Sequence, residues 1–455
     1  MLGTMQMGVS ALLWARRSKL YGLTLVAVAL AADVAQAQNS GRFQSNPNLA
    51  STPSPPKQAA APSAANPAPG AVAPGAMNPA AVKLVVQASL LVKERKYDDA
   101  LPLLDKALSI DPKMVPALKL RLAIRLLKSQ QQQALADLGE LIKLVPKDAN
   151  NYVTRGILLT IPKQYDAAMA DFDRALALDP KSGLPQVGRG MVFRLKGERD
   201  KALAEYNRAL EVNPKQAEAH LGLGILHRSQ GQTDKALAAF DRALAIKPKL
   251  AEALAERGWA LLTKGRPTEA TTDFDRALEN SPNMQMATLG RGMAMWATGQ
   301  TERAIVAYDE VIDRNKKDPF PYFLRGKALL AKGEVDRAML DFNQALKLKP
   351  KYAEALAARG MSWSKKKEYV AALADLDEAI AQEERVESYY ARAQVYETKG
   401  DADRAVADFR KATELSPKGL FDVVAQAAAK KRIEQLGKRL PCSPGSGGSS
   451  TDTCL

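Results

Sequence analysis

Eight arginines stand in register along the chain: Arg121, Arg155, Arg189, Arg257, Arg291, Arg325, Arg359 and Arg392. Sixteen residues after seven of them stands an acid: Asp137, Asp171, Glu205, Asp273, Asp341, Asp375 and Asp408. Where the register holds Gln87 or Leu223 instead, Leu103 and Ala239 stand in the acid column, so both members vanish together. Arg291, followed by Ala307, is the exception. The planar fork of arginine suits a carboxylate, and residues that appear and disappear as a couple are expected to pair. The reading is seven structural ion pairs, Arg121–Asp137 through Arg392–Asp408. A row of arginines that holds an anionic ligand is the functional alternative.

No other residues form a chemical constellation. His220 and His227 are seven apart and fall in helix-packing columns, which points to core positions rather than metal ligation. Cys442 and Cys454 lie in the last fourteen residues; a bond between them in an oxidising compartment would tie only the tail. Arg-Gly recurs for packing and does not form a strand–turn–helix phosphate cradle. No serine or cysteine stands in a nucleophile pattern with a histidine. No catalytic residue, cofactor or metal is expected, and the chain reads as non-enzymatic.

The elements that position the arginines come from a period of 34. Alanine recurs at Ala100, Ala134, Ala168, Ala202, Ala236, Ala270, Ala304, Ala338 and Ala372, then at Ala405 after a step of 33. Gly156, Gly190, Gly224, Gly258, Gly292, Gly326 and Gly360 run in register, and a proline such as Pro180, Pro214 or Pro248 closes most units. Such a period means like modules that stack on their neighbours. In the unit 251–284, Leu254, Leu261 and Leu262 recur at helical spacing and Gly265-Arg266-Pro267 breaks the helix. A second helix carries Ala270, Phe274, Ala277 and Leu278 on one face and stops at Ser281-Pro282. Gly258 and Ala270 are expected to be small because paired helices approach there. In the unit 149–182, Pro162 is expected to end the first helix in the absence of a turn glycine. The fold class is all-α, an α-solenoid of about ten helix–turn–helix units.

Residues 81–419 thus resemble the tetratricopeptide repeat (TPR) family, on Gly258, Ala270, Phe274, Ala277, Pro282 and their equivalents. Local departures are Ala88, Leu122 and Ala393 for the first glycine, Leu141 and Val311 for the second-helix alanine, and Lys316 and Glu384 for the proline. The resemblance implies that the first helices line a concave groove that binds peptide or helical segments. The columns it places there include Met191, Ile225, Arg228, Trp259, Leu262, Met286, Met293, Trp296, Phe320, Phe323, Lys327 and Met361. Methionine and aromatic side chains suit such a surface, while packing between neighbouring helices is the plain alternative. A third possibility is that the Pro/Ala-rich segment or the last helix occupies the groove. Arg228, Lys327 and Lys365 would add charge contacts.

Outside the repeats, residues 1–37 read as a signal peptide. Arg16, Arg17 and Lys19 precede an apolar run, Leu20 to Ala32, and Ala35-Gln36-Ala37 is a small-x-small cleavage site. The run is thirteen residues, short of the ~20 that span a bilayer as a helix. An uncleaved inner-membrane anchor is the rival reading. Residues 38–80 form a linker with nine prolines and little to bury, so it is expected to stay disordered. Residues 420–440 read as a C-terminal capping helix, with Val423, Val424, Ala427, Ile433, Leu436 and Leu440 near one face. Lys430, Lys431, Arg432, Lys438 and Arg439 would solvate the other, or form a patch for membrane or nucleic acid. Gly437 is expected to weaken the last turn. The tail 441–455 reads as disordered.

Formal charge is +15, which favours anionic surfaces without naming one. The expectation is an exported bacterial scaffold, periplasmic or secreted, that binds a protein or peptide partner and no nucleic acid, with no membrane span after cleavage. The alternatives are an envelope factor that binds glycan or anionic polymer through its basic surface, or an accessory subunit of an envelope enzyme.

Overall fold

The computed structural model describes residues 78–437. The expected signal peptide, linker and tail, with both cysteines, lie outside them, apart from the last few linker residues. The described residues hold twenty-one α-helices and no strand, in an all-α solenoid of helix pairs. Ten pairs run from Pro79–Lys93 with Tyr97–Ile110 to Val386–Thr398 with Ala402–Glu414, and a single helix, Leu420–Gly437, follows. The chain divides into two compact units between Pro214 and Lys215.

Seven of the ten pairs close over an alanine and an aromatic ring, and three put Leu104, Leu138 or Leu376 in its place. Ala270, Phe274 and Ala277 of the helix Pro267–Asn280 are fully buried. Phe274 explains the glycine column. A Cβ added at Gly258 would lie 2.8 Å from its ring, and one added at Gly290, on the next first helix, 2.3 Å. Gly258 is therefore glycine to seat a ring between successive pairs, a more specific demand than helix proximity. Phe172 sits the same way between Gly156 and Gly188. The ring thus binds a unit to itself and to the next one, and that coupling lets modules too small to fold alone propagate.

Turns between paired helices need one left-handed residue. Gly265 supplies it at φ 70°, and where glycine is absent Lys163 takes it at φ 64°. The helix Ala149–Leu159 ends before Pro162, with Thr160 as its C-cap; Lys163, not the proline, makes the turn.

The last helix keeps part of the expected face, with Val423, Ile433 and Leu436 packed on the core, and departs from it elsewhere. Asp422, Val423, Ala425 and Ala429 are buried, whereas Val424 and Ala427 are exposed. An Ala/Val-rich helix has no strong apolar stripe, so its rotation is fixed by Asp422. That carboxylate accepts from Arg385 Nη2 at 2.8 Å, Glu387 N at 3.0 Å and Lys418 N at 3.0 Å. Lys430 and Lys431 are exposed, and Arg432 pairs with Glu397. Leu440, Lys438 and Arg439 lie outside the described residues.

Candidate functional site

Two surfaces carry the candidate residues: the arginine ladder and the first-helix face. On the ladder, Arg257 donates from Nε and Nη2 to the two oxygens of Asp273, both at 2.7 Å. Arg155 with Asp171, Arg325 with Asp341, Arg359 with Asp375 and Arg392 with Asp408 repeat this fork. Arg121 reaches Asp137 likewise. Arg189 makes one 3.2 Å bond to Glu205, which Arg208 shares. The acids are buried and the arginines partly exposed. Hydrogen bonding to Asp273 holds the Arg257 guanidinium above its ordinary range.

All the ladder arginines but Arg155 also reach backwards. Arg121, Arg189, Arg257 and Arg325 donate from Nη1 to Asp105, Asp173, Asp241 and Asp309, sixteen residues earlier on the second helix of the preceding pair. Arg359 meets Asn343 and, after the shortened unit, Arg392 meets Asp377. Arg291, the exception, lies 3.5 Å from Asp275 and 3.6 Å from Glu310. The ladder therefore staples three helices at most of its steps. The backward acids are as periodic in the sequence as the forward ones, so the same column reading applied in the other direction finds them.

The first-helix face of the C-terminal unit holds eleven of the twelve groove candidates; Met191 lies in the N-terminal unit, half-buried. Ile225, Trp259, Leu262, Met293 and Phe323 are buried among neighbouring helices and offer little surface. Trp259 stands edge-on to Phe274, with ring centroids 5.7 Å apart. Met286, Trp296, Phe320 and Met361 are half-buried against the same core. The basic candidates face acids of the chain itself: Arg228 bonds Glu256 at 2.9 Å, and Lys327 pairs with Glu387. Lys365 is exposed.

Lys327 and Glu387 sit on first helices two pairs apart, so the first-helix side of this unit curls inward. Into that curl comes Phe421, from the first turn of the last helix. Its ring centroid lies 5.8 Å from Phe323, edge to face, and 5.9 Å from Trp296. Lys327 Nζ stands 3.8 Å above it, within cation–π range. Phe421 continues the column of Met286 and Phe320 into the last helix, whereas Arg385 has no arginine counterpart in its column. His220 is buried, and His227 Nδ1 lies 3.0 Å from Gln232 Oε1.

Family models described as tetratricopeptide repeat match residues 188–251 and 323–385, 223–295, and 386–418. A search of the curated proteins found no match. Among solved structures, the APC/C hetero-tetramer Cut9-Hcn1 is similar over 77% of this chain and 76% of that one, at 18% identity and TM-score 0.52. The human IFIT1 dimer with PPP-AAAA is similar over 71% of this chain and 81% of that one, at 16% identity and TM-score 0.48. YrrB, described as a TPR protein with an unusual peptide-binding site, is similar over 41% of this chain and 97% of that one, at 24% identity and TM-score 0.33. The first likeness is one of fold. With the helix pairs and the glycine-seated rings, the family matches identify tetratricopeptide repeats in residues 188–295 and 323–418 of this chain.

Proposed function

We propose that this chain is a non-catalytic scaffold of the bacterial cell envelope that binds a peptide or helical segment on the first-helix face of its C-terminal unit. The observation that supports this most is Phe421. It is an aromatic side chain from outside the stack of first helices, received by Trp296, Phe323 and Lys327. A partner segment with an aromatic anchor meets the same chemistry, with half-buried Met286, Phe320 and Met361 nearby on the same core. Export rests on Arg16, Arg17, Lys19, the run Leu20 to Ala32 and the Ala35-Gln36-Ala37 site. Among the described residues, no helix is long and apolar enough to cross a membrane.

The test is peptide-library selection on the exported protein, followed by titration of an enriched peptide against salt. Peptides with a shared aromatic anchor are expected, bound more tightly by Phe421→Ala, which vacates the cluster, and more weakly by Trp296→Ala. Binding that collapses as salt rises and ignores both substitutions would replace this reading with the anionic-polymer one. N-terminal sequencing of the mature protein checks export: a start at Gln38 is expected, and an intact N-terminus would favour the anchored form.

A further inference from the structure

One step of the arginine ladder lacks its backward carboxylate. Sixteen residues before Arg155 stands Gly139, where Arg121, Arg189, Arg257 and Arg325 have an aspartate. Arg155 donates from Nε at 2.7 Å and Nη2 at 2.6 Å to Asp171, and among the described residues its Nη1 has no hydrogen-bond partner. Its side chain is 31% exposed. A Cβ added at Gly139 would meet nothing within 4 Å.

Beside Arg155 is an open pocket of about 430 Å³, lined by Leu135, Arg155, Leu159, Ala167, Ala170 and Asp171. The same niche recurs 102 residues later, three repeats on, where Leu237, Arg257, Leu261, Glu269, Thr272 and Asp273 stand at the matching positions. There Asp241 bonds Arg257 Nη1 at 2.7 Å, and Arg266 pairs with Glu269 at the edge. Gly139 for Asp241 and Ala167 for Glu269 turn a charged niche, itself open to about 320 Å³, into an apolar-walled one with a spare guanidinium N–H.

We propose that the Arg155 niche is a binding site for a ligand carboxylate borne beside a small aliphatic group, the carboxylate taking the place that Asp241 holds beside Arg257. The chain itself shows the fit, since Arg121, Arg189, Arg257, Arg325 and Arg392 each donate to a second carboxylate from this atom. Asp171 already offsets much of the Arg155 charge, so a bare carboxylate gains little. The walls of Leu135, Leu159, Ala167 and Ala170 add apolar contact for an aliphatic neighbour. The carboxylate comes from the end of a partner peptide or from an acidic side chain next to an aliphatic residue. The site lies in the N-terminal unit and is independent of the Phe421 cluster.

The experiment titrates the full chain with N-acetyl-leucine, N-acetyl-leucinamide and the amidated dipeptide acetyl-Asp-Leu, following the Arg155 side-chain Nε–Hε resonance. A saturable shift is expected with at least one carboxylate ligand and about tenfold weaker binding of N-acetyl-leucinamide. The tighter of the two acids tells chain end from side chain. Gly139→Asp supplies the carboxylate internally: the titration shift is lost, and the thermal midpoint rises above that of Gly139→Asn. Both variants leave the Arg155–Asp171 fork intact, so both report on the niche alone. Equal binding of leucinamide, unchanged binding in Gly139→Asp, or no saturation with either acid overturns the proposal.

Discussion

The arginine ladder and the anchor of the last helix solve the same problem, tying one helix to the next through a guanidinium and carboxylates, at opposite extremes of burial. Ladder arginines such as Arg257 keep 23% of the side chain exposed, and one of their two acids, here Asp241, is mostly in water. At the anchor, Arg385 is 5% exposed and Asp422 is fully buried. The ladder repeats, so each step adds a modest increment that its neighbours share. The anchor occurs once, with no like neighbour to share its load. A charge held in water's reach can lose a partner and be rehydrated; a charge shut away cannot.

The sharpest way to break this comparison is Asp422→Ala. It leaves Arg385 with only Glu354 at 3.2 Å and Glu383 at 3.4 Å, and it removes the acceptor of two backbone N–H groups. Loss of one partner from a buried pair costs about 3–5 kcal/mol. Because the helix is terminal, the cost is expected as local opening of Leu420–Gly437, read by amide exchange, while protection in the ladder pairs stays near wild type. Uniform loss across the unit, or none, would mean that the anchor is not separable from the stack.

Phe421→Ala tests the other half of the anchor. The ring is half-buried, so the expected loss of about 2 kcal/mol falls below that of a fully buried phenylalanine. It should appear as faster exchange in the same helix and a changed near-ultraviolet signal from Trp296. The ladder gives the contrast within one short stretch. Asp273→Ala orphans two guanidinium bonds in a buried site and is expected to cost about 2 kcal/mol. Asp275→Ala removes an exposed acid 3.5 Å from Arg291 and should cost less than about 1 kcal/mol. Thermal midpoints measure both, and equal shifts would sink the claim that the forward acid bears the pair.

What the sequence made legible follows the same division. The helix pairs, the glycine column and the Arg257–Asp273 register repeat, so each unit acts as a control for the others, and Arg291 stood out as an exception for that reason. Gly139 was open to the same treatment and was missed because only the forward acids were compared. The roles of Trp259 and Met293 were not legible: the column that faces inward also packs between helices, and residue type does not separate the two. The last helix is a possible occupant of the groove from the sequence, but nothing there singles out Phe421, Asp422 or Arg385 by residue. Their partners lie far off in sequence and outside any period, and the rotation of their helix depends on a contact rather than on an apolar stripe.

A further small effect, of opposite sign, probes the repeat itself. Tyr308 occupies the column that holds Phe172, Phe240, Phe274 and Phe342, and a Cβ added at Gly292 would lie 2.6 Å from its ring. Its hydroxyl is buried with no hydrogen-bond partner, and burial pushes that phenol well above its ordinary range. A buried hydroxyl without a partner carries an uncompensated desolvation cost, typically about 1–3 kcal/mol in proteins. Tyr308→Phe installs the residue that sister units use and removes one oxygen from a seated ring. The cavity it leaves offsets part of the gain, so a net stabilisation of about 1 kcal/mol is expected, as a raised midpoint in thermal or denaturant unfolding. A lowered midpoint would mean that the hydroxyl has found a partner in solution, and that the ring column is less interchangeable between units than its period implies.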